Sequence, residues 1–137
     1  MKLYSEVLTV QTANQRELMN ITPQVKAAVQ KSEVQEGIAF VGSLHVNAAV
    51  IVHEDESGMN EDLLAWVEKL APRAGDYKHG TRFESPGGVN LQTLLLHHEV
   101  TLPIAAGRLD LGPWQSVFFV ELDGGRPKRY TIKVLGE

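Results

Sequence analysis

The chain has 137 residues, 43% of them hydrophobic and 22% charged, with no cysteine and a formal net charge of −4. Residues 1–137 read most simply as one globular domain, long enough to bury about two-thirds of its unfolded surface without cross-links. Disulfides and thiolate metal sites are excluded, and the basic residues are too scattered for a nucleic-acid face.

The N-terminal MKLYSEVLTVQT alternates in polarity and lacks the apolar core of a signal peptide. No apolar run approaches the roughly 20 residues of a membrane span. A cytoplasmic protein with no membrane partner is expected. Residues 3–10, LYSEVLTV, alternate as a strand. Residues 21–31, ITPQVKAAVQK, predict a helix with Thr22 as cap and Pro23 at its first position. GIAFVGSLHV and AAVIVHE are rich in β-branched residues and predict one long strand or two, bent near Ser43 or Asn47. SGMNEDLLAWVEKLAP predicts a second helix, capped by Asn60, with Leu63, Leu64, Val67 and Leu70 as its apolar stripe and Pro72 as its stop. Residues 73–88 read as a long loop, and VNLQTLLLHH as a third helix with Leu91, Leu94 and Leu95 facing inward. The remainder is strand and turn. EVTLPI, GRLDLG and WQSVFFVELD lead through a GGRP turn into KRYTIKVLG, where Tyr130, Ile132 and Val134 alternate with Arg129, Thr131 and Lys133. The basic RPKR at 126–129 reads as a solvated hairpin tip. About seven strands, clustered toward the C-terminal end, and three short helices give an α+β fold with a mainly antiparallel β-sandwich.

Several side chains stand out as candidates for chemistry. His45 and His53 flank the apolar AAVIV. On a single strand, eight residues at about 3.3 Å each would hold them about 26 Å apart, too far to share a metal whose ligands lie about 2 Å away. Any partners of His45 therefore come from elsewhere in the chain. Glu54, Asp55 and Glu56 follow the strand end, either as a solvated acidic turn or with Glu54 as base or metal ligand. His79 lies in a glycine-rich loop, GDYKHGTRFESPGG, where it has no core to fill. The neighbouring SPGG can bring backbone N–H groups toward an anion. His97 and His98 end a predicted helix, where the dipole alone accounts for basic residues. No HExxH, GxSxG or GxGxxG motif is present.

The segments NITPQV (20–25), Gly42 with LHVNAAVIVHE (42–54), DLL with EKLAP (62–72), YKH (77–79) and VTLPIAAGRLDLGPWQSVFFVELDG (100–124) together resemble the YjbQ-like family, also called the secondary thiamine-phosphate synthase family. The resemblance runs through nearly the whole chain, and GRLDLGPWQ is its most specific part. It implies a compact α+β fold with a β-sandwich core, a homotrimer, and a small site of histidines and acids near subunit contacts. It also implies weak thiamine-phosphate synthase activity, a transfer that joins a pyrimidine diphosphate to a thiazole phosphate and releases pyrophosphate. Position by position, it carries metal-binding roles to His45 and His79, catalytic roles to Glu54 and Asp62, and ligand or anion contacts to Gln115 and Asn90.

The departures bear on function. Val46 and Asn47 stand where the family has hydroxylic residues, His53 precedes Glu54 where the family has asparagine, and Asn90 stands where it has a histidine. Asparagine is a poor ligand for zinc. A divalent ion is therefore an open expectation, and a site holding only an anion is its alternative. His53 and Asp55 are expected to stand aside. The ligand implied is a small phosphorylated molecule. The rival reading is a non-catalytic binding protein for a small ligand or metal, with a degenerate site.

Overall fold

The computed structural model describes residues 1–79 and 86–137. In chain order the elements are β1 (Lys2–Val10), β2 (Glu17–Asn20), α1 (Thr22–Ser32), β3 (Gly37–Ser43), β4 (Ala48–His53), α2 (Ser57–Leu70), α3 (Gly87–Leu96), β5 (Glu99–Ala105), β6 (Arg108–Leu109), β7 (Ser116–Glu121) and β8 (Lys128–Gly136). The alternation that marks β1 and β8 is realised directly. Tyr4, Leu8 and Val10 on one strand, and Tyr130, Ile132 and Val134 on the other, turn to the same core.

Every strand pairing is antiparallel. A five-stranded sheet runs β1-β8-β3-β5-β6, and a three-stranded sheet runs β2-β7-β4. The two curl into a half-barrel whose interior holds Val41, Ile132 and Val134 from the first sheet and Val50, Val117 and Phe119 from the second. Helix α1 adds Val25, Ala28 and Val29 to this core. Each side chain of this size, fully buried, contributes about 1.5–3 kcal/mol. The expected α+β class with a mainly antiparallel sandwich and three helices is the observed architecture.

The three-stranded sheet is apolar on both faces. Its outer face carries Ala49, Phe118, Val120 and Leu122, which pack with Val89 and Leu96 of α3 and Leu64 of α2. The double-sided apolar pattern of WQSVFFVEL is thus covered within the chain by two helices.

Local details differ from the sequence expectations, each for a physical reason. Thr22 does not cap α1. Its N–H donates to Asn20 Oδ1 at 3.0 Å, while its own hydroxyl oxygen accepts from Val117 N at 2.8 Å and ties the helix start to β7. Asn60 does not cap α2, because the helix begins earlier. Glu56 is the cap, its carboxylate accepting from Gly58 N and Met59 N. Of the expected apolar stripe on α2, Val67 is buried and Leu70 is exposed. Helix α3 is rotated relative to expectation. Leu91, Leu94 and Leu95 face outward, and Val89, Gln92 and Thr93 face inward. The cause is Gly88, packed so tightly on the preceding segment that an added Cβ would sit 1.9 Å from Pro72 O. That close approach turns the Gly88–Gln92 face inward, where Gln92 donates to Ala71 O (2.8 Å) and Glu68 Oε1 (3.1 Å). The hairpin tip is only partly solvated, because Lys128 is buried. Of the predicted loop 73–88, residues 80–85 lie outside the described residues.

Candidate functional site

Between β3 and β4 the chain crosses from one sheet to the other through residues 44–47, and this crossing carries His45. Main-chain bonds pin it to the start of β8. Leu44 N donates to Arg129 O at 3.2 Å, and Arg129 N donates to His45 Nε2 at 2.9 Å. Ser43 Oγ accepts from His45 N at 3.1 Å. Asn47 O accepts from Leu122 N (3.4 Å) and from the Lys128 ammonium (3.5 Å). Lys128 also pairs with the Glu121 carboxylate and donates to Asp123 O at 2.8 Å. A buried ion pair with its remaining donors satisfied thus underlies the His45 segment. Burial, then the charges of Lys128 and Arg129, hold the His45 pKa below the ordinary histidine value. The ring is neutral near pH 7.

Beside the crossing lies the C-terminal half of α3. Together they enclose a cavity of about 560 Å³, within the range of small-molecule sites. Its polar lining is Ser43, His45, Asn90, Thr93, His97 and His98, and its apolar lining is Leu44, Val46 and Leu94. None of these side chains is acidic. Asn90 connects the cavity to His79, its Nδ2 lying 3.5 Å from His79 Nε2. Three of the candidates from sequence, His45, Asn90 and His79, are therefore brought to one region.

The other candidates sit elsewhere in the chain. Glu54 directly follows β4 and Gln115 directly precedes β7, next to the pair His53↔Ser116, whereas the His45 segment precedes the pair Ala48↔Glu121 at the other end of the ladder. The five steps between those pairs span about 17 Å. Glu54 is exposed. Gln115 shapes a turn, its Oε1 accepting from Gly112 N at 2.9 Å. Asp62 is exposed on α2. Asp55 accepts from Asn20 Nδ2 at 2.8 Å, and His53 stacks on Phe118 with ring centroids 4.4 Å apart. Neither Glu54, Asp62 nor Gln115 lines the cavity.

His97 and His98 do line it, although the sequence reading assigned them to a helix end. Their signal was present but ambiguous, because two consecutive histidines suit a helix terminus for dipole reasons alone. The structure adds that His97 adopts φ 79° as the C-cap of α3 and stacks on His98 at 5.1 Å.

The described donor set does not fit a divalent ion. Among the described residues no group of three or more His, Cys, Asp or Glu side chains converges as metal ligands would. The ring nitrogen of His45 that a metal would take is already bonded to Arg129 N.

A family model described as "UPF0047 protein YjbQ-like" matches residues 6–137. A UPF0047 protein of Archaeoglobus fulgidus is 38% identical over 128 residues, covering 93% of this chain and 98% of that protein. One from Methanothermobacter thermautotrophicus is 34% identical over 137 residues, covering 100% of this chain and 95% of its own. Among solved structures, a YbjQ-like protein of unknown function from Sulfolobus solfataricus P2 superposes with a TM-score of 0.94 at 35% identity, covering 99% of each chain.

Proposed function

The chain belongs to the YjbQ-like UPF0047 family, and from that premise we propose that it binds a small phosphorylated molecule in the cavity beside His45. The observation that carries this reading is the lining itself. Imidazoles, a primary amide and hydroxyls share a concave site with Leu44, Val46 and Leu94, and among the described residues no acidic side chain lines it to repel an anion. The apolar wall suits a heterocyclic body, and the polar groups suit its phosphate.

The transferase reading adds weak thiamine-phosphate synthase activity, in which the histidines stabilise the charge of departing pyrophosphate. Glu54 or Asp62 would then act as acid or base, and Gln115 would contact ligand, once a neighbouring copy carries them to the cavity. A homotrimer is part of this reading. Its support is the apolar surface exposed on the single chain: Leu44, Val46 and Leu94 at the cavity, and Leu91 and Leu95 at the second hollow that Leu94 also lines. The test is a coupled assay with both thiamine precursors. Product above that of a His45→Ala control is expected, and none above that control would remove the enzymatic claim.

The position of the acids favours a second reading, a non-catalytic binding protein. Within one chain neither Glu54 nor Asp62 reaches the cavity, and Asn90 replaces the histidine of the family pattern. Calorimetry with phosphate esters separates the two, since binding without turnover supports the second.

A further inference from the structure

Two histidines of the cavity are each held by a main-chain N–H, on opposite ring nitrogens. Arg129 N donates to Nε2 of His45 at 2.9 Å. His98 N donates to Nδ1 of His97 at 3.0 Å. A ring nitrogen that accepts a hydrogen bond carries no proton, so in a neutral imidazole the proton resides on the other nitrogen. His45 is thereby fixed as the Nδ1–H tautomer and His97 as the Nε2–H tautomer. A metal ion binds the unprotonated nitrogen of a neutral imidazole, and in both rings that nitrogen is already engaged. What each ring has left is a donor.

The surroundings agree. Among the described residues the lining holds no carboxylate. Lys128, Arg129 and Arg126 all bear on His45 as positive charges, and Glu121, the carboxylate that opposes them among the described residues, is paired with Lys128. We infer that the cavity holds the oxyanion of its ligand directly, through the Nδ1–H of His45 and the Nε2–H of His97, with no metal between them. This rests on the proposed reading of the cavity as a ligand site, and adds His97 to it as a binding residue.

Long-range ¹H–¹⁵N spectra of the full chain near neutral pH test the tautomers without any ligand. His45 is expected to show a protonated Nδ1 and a bare Nε2, and His97 the reverse. The opposite tautomer at either ring, or a rapidly exchanging mixture, would overturn the inference. Binding is then measured by calorimetry with pyrophosphate, phosphate and acetate, each with a chelator and with added Zn²⁺. Affinity for an oxyanion that is indifferent to chelator supports the inference. Affinity that appears only with Zn²⁺ overturns it while leaving the phosphorylated-ligand reading intact. Binding of acetate but not of either phosphate probe supports the donor pair and removes the phosphorylated ligand instead. No binding of any probe overturns the donor pair.

His97 is exposed, so its replacement leaves the core untouched. His97→Leu is expected to weaken oxyanion binding at least about tenfold, the loss of one hydrogen bond to a charged group. His97→Gln, which keeps an N–H near the position of Nε2, is expected to retain most of it. Equal loss in both variants, or retention in both, would overturn the donor role.

Discussion

At the scale of single residues, the polar groups inside this fold fall into satisfied and unsatisfied ones. Both ring nitrogens of His53 are buried and have no hydrogen-bond partner among the described residues. Burial lowers its pKa, opposed by the nearby charges of Asp55 and Glu54. The folded state therefore binds fewer protons at this ring than the unfolded chain. Its contribution to stability is complete above the unfolded value of about 6.5 and is lost as pH falls through that value toward the folded pKa. His45 acts with the same sign. Urea unfolding at pH 7 and pH 5 should show the wild type losing more stability than His53→Phe, and equal losses would contradict this account. Lys128 is the opposite case, a buried charge whose partners are all supplied. Removing one member strands the other, so Lys128→Ala should cost about 3–5 kcal/mol in denaturant unfolding. The double variant Lys128→Ala with Glu121→Ala should cost less than the sum of the two single variants. Lys128 was not legible beforehand, because in sequence it belongs to a basic turn and its partner lies across a hairpin. The AAVIV strand was legible from its β-branched run, whereas His45 falls in the crossing before β4 rather than on the strand that ends in His53.

At the scale of elements, the strands were the most readable parts. β1 and β8 obey a period of two, β4 and β7 are short apolar runs with polar ends, and all four fall close to where those patterns put them. β2 was missed because ELMN has no alternation to distinguish it, and its partner Leu18↔Val120 is distant in the chain. The third helix was placed correctly in the chain but rotated wrongly, since three leucines at helical spacing are ordinarily a core face. Gly88 and a buried glutamine decided otherwise, and no hydropathy pattern encodes a backbone approach. Gly88→Ala puts this to the test. Its Cβ would meet the backbone at Pro72 O and the Arg73 Cα rather than a movable side chain. The expected cost is about 1–3 kcal/mol or more, whereas Gly125→Ala, with nothing within 4 Å of the added methyl but a φ of 111°, should show only the smaller cost of a strained turn. Because α3 forms one wall of the cavity, Gly88→Ala should also weaken any ligand measured there, and a destabilised variant with unchanged affinity would separate the helix's packing from its binding role.

At the scale of the whole molecule, the question is what covers the rotated helix. Helices α2 and α3 already cover the outer face of the three-stranded sheet, so the two-sided apolar strands do not by themselves demand a second chain. The outward leucines of α3 do raise that demand. Leu94 is 75% exposed and Leu95 51%, and with Leu70 and Leu91 they line a second hollow of about 330 Å³ beside the first. Contiguous apolar surface of this kind ordinarily marks an interaction site. Closed rings of identical chains bury such a patch without leaving an open edge. If the proposed trimer uses this face, sedimentation equilibrium at micromolar concentration should return three chain masses for the wild type. Leu94→Asp should then return one, with its circular dichroism unchanged, because the side chain it replaces packs on nothing essential within its own chain. A wild-type monomer would remove the trimer and, with it, the only route by which Glu54 and Asp62 reach the cavity. A trimer that survives both Leu94→Asp and Leu95→Asp would place the subunit contact on another surface, and the acids would then have to be sought across that one.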